Sequence, residues 1–184
     1  MDYVNCDLCP RRCGADRAAG KTGFCRLPEG VFVARAAPHF YEEPPISGTR
    51  GSGTIFFEGC TLRCVFCQNR DISRGASRPP LTDAELLSLF GELYRAGVHN
   101  FNLVSPTPYV RALCRVLPEV KKRYPLPVVY NTGGYERVET LRQLAGLVDI
   151  YLPDFKYADP ALSAAFSGAA DYPGAAASAV AEMA

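Results

Sequence analysis

The feature of this sequence that most constrains its fold is a run of three closely spaced cysteines. Cys60, Cys64 and Cys67 stand at C-x3-C-x2-C spacing directly after the apolar run 54–57. Iron-sulfur clusters are held by cysteine thiolates, usually a tight run plus a remote cysteine. A run that stops at three leaves the fourth iron of a cube open, and an open position is typical of catalytic metal sites. The alternative is a zinc knuckle or a set of buried free thiols, because free cysteine is often buried.

The residues around these cysteines resemble the radical S-adenosylmethionine (radical SAM) enzymes, whose hallmark is C-x3-C-x-aromatic-C with Phe66 in the aromatic place. Residues 51–60 (GSGTIFFEGC) and 67–69 (CQN) look like the branch related to pyruvate formate-lyase activating enzyme. The resemblance implies a catalytic 4Fe-4S cluster on the three cysteines, with SAM bound to the open iron. An electron from the cluster then cleaves SAM to methionine and a 5′-deoxyadenosyl radical. Phe66 is expected to pack against the adenine of SAM.

Composition excludes several other classes of protein. The chain has 184 residues, 48% of them hydrophobic, which is enough for one domain with a core. Lys and Arg number 20 against 19 Asp and Glu, so the chain lacks the strong excess of basic residues that indicates a nucleic-acid partner. No apolar stretch is long enough to span a membrane, and the first residues lack the pattern of a signal peptide. We therefore expect a cytoplasmic protein, whose eight cysteines bind metal or carry catalysis rather than form disulfides.

A second cysteine set lies in residues 1–40, which we predict to be a separate metal-binding module. Cys6, Cys9, Cys13 and Cys25 are spaced C-x2-C-x3-C-x11-C among turn-forming residues. A short segment with little apolar material gains stability from a metal, because metal binding becomes folding free energy. Zinc fits four cysteines, a second iron-sulfur cluster fits nearly as well, and buried or disulfide-linked cysteines are the alternative.

Residues 41–52 are rich in proline and glycine, which predicts an extended connector. Glu42 and Glu43 within it are expected to be a solvated charge pair. Beyond the connector, residues 53–184 alternate apolar strands with segments of helical periodicity. This order predicts an α/β fold with parallel strands, an incomplete (β/α) TIM-like barrel of about four βα units. The predicted strands are 53–58, 98–104, 128–131 and 147–152, and the helices between them are 82–97, 108–122 and 135–146, with Pro118 ending or kinking the second helix.

Ligand chemistry in such folds belongs at the carboxyl ends of the strands. After the second predicted strand, Ser105 and Thr107 are either hydroxyl ligands of SAM or caps of the next helix. The family's glycine- and glutamate-containing turn, which binds the SAM amino group, is absent there. After the third strand, Asn131 and Thr132 resemble a turn near the SAM ribose, and Gly133 and Gly134 permit close approach or positive φ.

After the fourth strand, Asp154 and Lys156 resemble an Asp-x-Lys pair beside the SAM carboxylate or the substrate. Two opposite charges two residues apart also fit a simple ion pair. Cys114 falls in the apolar row of its helix and is expected in the core.

The resemblance implies a ferredoxin- or flavodoxin-type electron donor. It leaves the substrate open between the glycine of a glycyl-radical enzyme, a peptide and a small molecule. Barrels of this type normally have six βα units, so strands five and six are expected to be missing. The fourth strand then becomes an unpaired edge, and SAM is expected to bind weakly.

Overall fold

The structure, a computed structural model, describes residues 3–184, and Met1 and Asp2 lie outside the described residues. Its centre is a five-stranded sheet in which every strand pairs with the next along the chain. The first strand is antiparallel to the second and the other four are parallel. The fold is therefore α/β with a mostly parallel sheet, compatible with a partial barrel. The strands are β1 Val33–His39, β2 Ser52–Phe57, β3 Phe101–Val104, β4 Val128–Thr132 and β5 Ile150–Pro153.

Helices connect the parallel strands and follow the last one. A capping box begins the helix Asp83–Arg95, since the Thr82 side chain and Glu85 exchange hydrogen bonds there. Two short 3-10 turns, Thr107–Tyr109 and Arg142–Leu144, precede α3 and follow α4. The helices are α1 Pro44–Ser47, α2 Asp83–Arg95, α3 Val110–Arg123, α4 Val138–Leu141, α5 Pro160–Ser167 and α6 Tyr172–Met183.

The two faces of the sheet differ because strand side chains alternate between them. Phe101 and Leu103 share the helix-covered face and are fully buried with apolar residues of α2 and α3. The opposite face carries polar groups, among them Asn102 and Asn131, and borders a large cavity. The sheet therefore has a hydrophobic outer face and an inner face suited to binding.

Three elements differ in part from what the sequence predicts. Strand β1 was not predicted, although it pairs with the whole of β2. The connector contains the single-turn helix α1, because Pro44 and Pro45 occupy its first positions, where a missing N–H costs nothing. Pro118 lies inside α3 and does not end it, since the helix continues to Arg123. As predicted, β5 is an edge strand of the described sheet.

Among residues 3–184, no helix is both long and apolar enough to cross a membrane.

Candidate active site

The three-cysteine loop begins at the carboxyl end of β2 and is fixed at its base by Glu58. This side chain is only 1% exposed, and its carboxylate accepts hydrogen bonds from the backbone N–H and the hydroxyl of Ser77, at 2.6 and 2.5 Å. The hydroxyl of Tyr109 donates to the Glu58 carbonyl at 2.7 Å. Gly59 has φ +70°, and a Cβ there would meet Leu27 at 2.7 Å. The sheet and these contacts position the base of the loop.

The three thiols of this loop line one cavity of about 760 Å³. Cys64 is buried, whereas Cys60 and Cys67 are half-buried. The Leu62 N–H donates to Cys60 Sγ at 3.4 Å, and the Ser167 hydroxyl donates to Cys64 Sγ at 2.9 Å. Burial raises the pKa of the Cys60 thiol despite hydrogen bonds from the backbone of Arg63 and Leu62. Two of the sulfurs thus accept hydrogen bonds, an interaction that also tunes the sulfurs of iron-sulfur clusters.

The strand-end residues that the sequence predicts to contact SAM line the same cavity as the thiols. They come from the ends of β3, β4 and β5, as expected for parallel strands whose carboxyl ends share one edge. Phe66 is 59% exposed at the rim and packs edge-on against Tyr157 and Phe166. The residues brought together are Cys60, Cys64, Phe66, Cys67, Ser105, Thr107, Asn131, Thr132, Asp154 and Lys156.

Two of the strand-end turns contain a residue with a positive φ angle. Ser105 has φ +58°, a left-handed conformation that is uncommon for serine and that clusters at functional sites. Gly134 has φ +76°, which confirms the predicted positive φ, and a Cβ there would meet the Asp154 carbonyl oxygen at 2.8 Å. The β4 turn therefore packs directly against the β5 turn.

Asp154 and Lys156 form an ion pair at the cavity wall, with Lys156 Nζ 2.5 Å from Asp154 Oδ2. Burial lowers the pKa of Lys156, but the hydrogen bond and charge of Asp154 outweigh it and leave this pKa above its ordinary value. The Asp154 side chain is 62% exposed. The pair is thus both a local ion pair and a charged feature of the cavity.

A model of the radical SAM superfamily matches residues 54–172, a stretch that runs from β2 to the start of α6. This chain belongs to the radical SAM superfamily. It is also similar to the uncharacterized protein MJ0674 of Methanocaldococcus jannaschii, with 35% identity over 164 residues that cover 84% of this chain and 46% of that protein. The chain spans about half the length of that relative.

The loop fits the 4Fe-4S cluster that membership in the radical SAM superfamily implies. The donor set is entirely sulfur, and it faces a cavity with room for further ligands. In residues 3–184, no three His, Cys, Asp or Glu side chains are already gathered as ligands of a single ion. The thiolates of a cube bind different iron atoms, so this site does not require them to meet at one point.

The four N-terminal cysteines line a different and much smaller pocket of about 20 Å³. Residues 3–30 contain no helix or strand, so the segment is held by turns and by two arginines. Arg17, 1% exposed, donates to the carbonyls of Pro28 and Pro108, and Arg11 donates to the carbonyl of Thr61 at 3.0 Å. Thr61 and Pro108 line both pockets, so the two cysteine groups share a wall.

Two acidic residues contribute to the site although their roles were not predicted from the sequence. Glu42 was expected to be solvated, but its Oε2 accepts hydrogen bonds from the amides of Asn102 and Asn131, at 2.8 and 2.9 Å, and it lines the cavity. Glu136 is buried behind Thr107 and Thr132 and accepts from both hydroxyls. Nothing in the local pattern distinguishes either residue from a surface acid, because both contacts depend on the tertiary fold.

Cys114 is half-buried rather than fully in the core. Its thiol donates to the Gln143 carbonyl at 3.4 Å, and it packs at the edge of an apolar cluster around Tyr130.

Proposed function

We propose that this chain holds a 4Fe-4S cluster through Cys60, Cys64 and Cys67 and uses it to cleave SAM reductively. The observation that supports this most directly is the shared cavity. Three thiols, an exposed aromatic residue and the polar ends of three parallel strands border the same space. When bound, the cluster supplies the electron that breaks the sulfur–C5′ bond of SAM, giving methionine and a 5′-deoxyadenosyl radical.

The residues of the cavity have separate parts in this proposal. Phe66 packs against the adenine of SAM, because a flat exposed ring between two ligands offers a stacking surface. Asn131 and Thr132 hydrogen-bond the ribose at the β4 end, and Lys156 pairs with the SAM carboxylate while Asp154 orients it. The residues at the end of β3, Ser105 and Thr107, face the amino group. Each role assigns a charge or donor to a complementary part of one molecule.

We propose that the radical abstracts a hydrogen atom from a substrate that enters along the inner face of the sheet. The resemblance to the pyruvate formate-lyase activating branch favours a glycyl-radical enzyme, whose backbone glycine would lose the hydrogen. A peptide or a small molecule is the alternative substrate. A ferredoxin or flavodoxin is the proposed electron donor. The substrate and the donor are distinguished by adding each to the reconstituted protein and measuring its effect on 5′-deoxyadenosine release.

The test of the proposed function is anaerobic reconstitution with iron and sulfide. The protein should turn brown and bind about four irons at the triad, and it should release 5′-deoxyadenosine from SAM when dithionite is added. A competing proposal makes the chain a non-catalytic binding module in which both cysteine groups hold zinc. That module is colourless and releases nothing, so one assay separates the two.

We further propose that Cys6, Cys9, Cys13 and Cys25 hold a structural zinc ion. A pocket of about 20 Å³ suits a single ion better than a cube. No three of these thiols are already gathered as ligands of one ion in the described residues, so zinc binding requires their side chains to rotate towards the metal. Elemental analysis should find one zinc per chain in addition to the iron. Additional iron in place of zinc would mean that these cysteines hold a second cluster. If the analysis finds no second metal, the proposed metal-binding module is refuted.

A further inference from the structure

A buried carboxylate joins two of the loops that form the cavity wall. Glu136 lies in the turn after β4, is 2% exposed, and its Oε1 accepts hydrogen bonds from two hydroxyls. One comes from Thr132 at the end of β4 and the other, at 2.5 Å, from Thr107 in the loop after β3. Both threonines line the cavity, whereas Glu136 stands behind them. The carboxylate therefore fixes the orientation of the two threonine hydroxyls although it does not line the cavity.

The charge of this carboxylate is incompletely compensated within the protein. Its Oε2 is buried without a hydrogen-bond partner, and so is the hydroxyl of Tyr130. None of the ion pairs found in residues 3–184 includes Glu136. Burying a carboxylate without a cation is unfavourable. A cation that enters the cavity beside the threonines would compensate it.

The direction of the two hydrogen bonds determines what such a ligand must be. A hydroxyl has one hydrogen, and both threonines give theirs to Glu136. Thr132 Oγ1 also accepts from the Gly134 N–H at 3.2 Å. Thr107 Oγ1 is left with acceptor capacity only. A group that meets Thr107 from the cavity must therefore donate a hydrogen bond, and the charge behind it favours a positive donor.

We propose that Glu136 is a positioning residue that orients Thr107 as an acceptor for the ammonium group of SAM. The inference rests on the proposed function, and it assigns to the turn after β4 the negative charge that faces the SAM amino group. Glu136 acts through Thr107 and does not touch the ligand. Of the donors that SAM carries, only the ammonium combines a hydrogen with a positive charge.

The test compares two ligands on the anaerobically reconstituted protein by equilibrium dialysis. S-adenosylhomocysteine has the amino group and is not cleaved, whereas 5′-methylthioadenosine keeps adenine, ribose and sulfur but lacks the amino acid part. Glu136→Gln should weaken the binding of S-adenosylhomocysteine about tenfold, the usual effect of losing one charge-assisted hydrogen bond. The same substitution should change the dissociation constant of 5′-methylthioadenosine less than about twofold. Loss of a negative charge cannot weaken binding of the ligand's carboxylate, so the difference reports on the amine.

Controls distinguish positioning from damage to the fold. Glu139→Gln makes the same change three residues later on an exposed side chain, and both affinities should stay at the wild-type values. Thr107→Val should reproduce the selective loss and Thr107→Ser should restore it, a pair that tests the idea even if Glu136→Gln fails to fold. Equal weakening of both ligands, or no weakening of either, would overturn the role of Glu136. A wild-type protein that holds its cluster yet binds neither ligand would overturn the proposed function as well.

Discussion

The two cysteine groups of this chain lie on either side of one wall, and they differ in how the protein supports them. The loop of Cys60, Cys64 and Cys67 follows a buried strand, is tied down by Glu58, and opens on a cavity of about 760 Å³. The four N-terminal cysteines lie among turns and enclose a pocket of about 20 Å³. An open coordination site is typical of catalytic metals and a closed one of structural metals. On the proposed assignment, the same ligand type serves a catalytic site in one scaffold and a structural site in the other.

The two scaffolds also lead us to expect different effects when the metal of each cysteine group is removed. The three-cysteine loop is supported by its sheet, its Glu58 contacts and its helices, so we expect its fold to persist without a cluster. Residues 3–30 form no helix or strand and are held by a few backbone hydrogen bonds, such as that from the Cys6 N–H to the Ala15 carbonyl, by two arginines and by any metal bound there. Removing a ligand should therefore abolish chemistry in one group and order in the other.

The largest effect is expected for Cys64→Ala. It removes one of three protein ligands, so cluster occupancy should collapse and SAM cleavage should fall more than about 100-fold, since even residues that only support metal ligands cost about 10–100-fold. Circular dichroism and the unfolding midpoint should change little, because the loop is fixed independently. Cys114→Ala, a half-buried thiol remote from both pockets, is the matched control. Retention of the cluster absorption and of cleavage in Cys64→Ala would show the assignment to be wrong.

Cys6→Ala should have the converse effect. We expect loss of about one equivalent of bound metal and faster proteolysis of the N-terminal segment, because its folding free energy comes largely from the metal. Iron at the triad and the circular dichroism of the sheet should persist. Metal analysis and limited proteolysis of the two cysteine variants, run side by side, measure the contrast directly. If Cys6→Ala removes the triad's iron as well, the two groups form one unit and the comparison fails.

The contrast also marks what the sequence could predict. The spacing of Cys60, Cys64 and Cys67 identified the site because ligand spacing within one loop is local. The strand-end residues followed from the rule that parallel strands share a carboxyl edge. The antiparallel strand β1 was missed because residues 33–39 sit between a cysteine-rich segment and prolines, and only the pairing with β2 makes them a strand. Glu42 and Glu136 were missed for a related reason, since their partners lie in strands and loops distant in sequence.

The protonation of the buried Glu136 supplies the next test. Burial raises the pKa of Glu136 from its ordinary 4.5 to about 7, partly offset by the hydrogen bonds from the Thr107 and Thr132 hydroxyls. Tyr130, Cys9 and Tyr151 are the titratable groups within electrostatic reach. Between these two pH values the folded protein keeps a proton that the unfolded chain releases. This group therefore lowers stability as pH rises from about 4.5 to 7, by at most about 3 kcal/mol.

Glu136→Gln should remove that dependence. Denaturant unfolding of wild type and variant at several pH values between 4.5 and 8, in the same state of metal loading, gives the difference in free energy of unfolding. We expect the difference to shift in favour of the variant as pH rises, with most of the change below pH 7. A difference that stays constant across the window would mean that folding does not raise the pKa of Glu136, and would contradict the prediction.

The smallest expected effect separates two phenylalanines, one from each cysteine group. Phe66 stands exposed at the rim of the large cavity, and Phe24 lines the small pocket with the Arg11 guanidinium 3.7 Å from its ring centre. Leucine at either position keeps apolar area but loses the flat ring. Phe66→Leu should weaken the binding of SAM about fivefold and leave cluster assembly intact, because stacking on the adenine is lost. Phe24→Leu should leave SAM affinity unchanged and lower stability by about 1 kcal/mol, because the contact with Arg11 is lost. Dialysis and denaturant unfolding of both variants measure the two effects, and SAM dissociation constants equal to wild type for Phe66→Leu would contradict its contact with adenine.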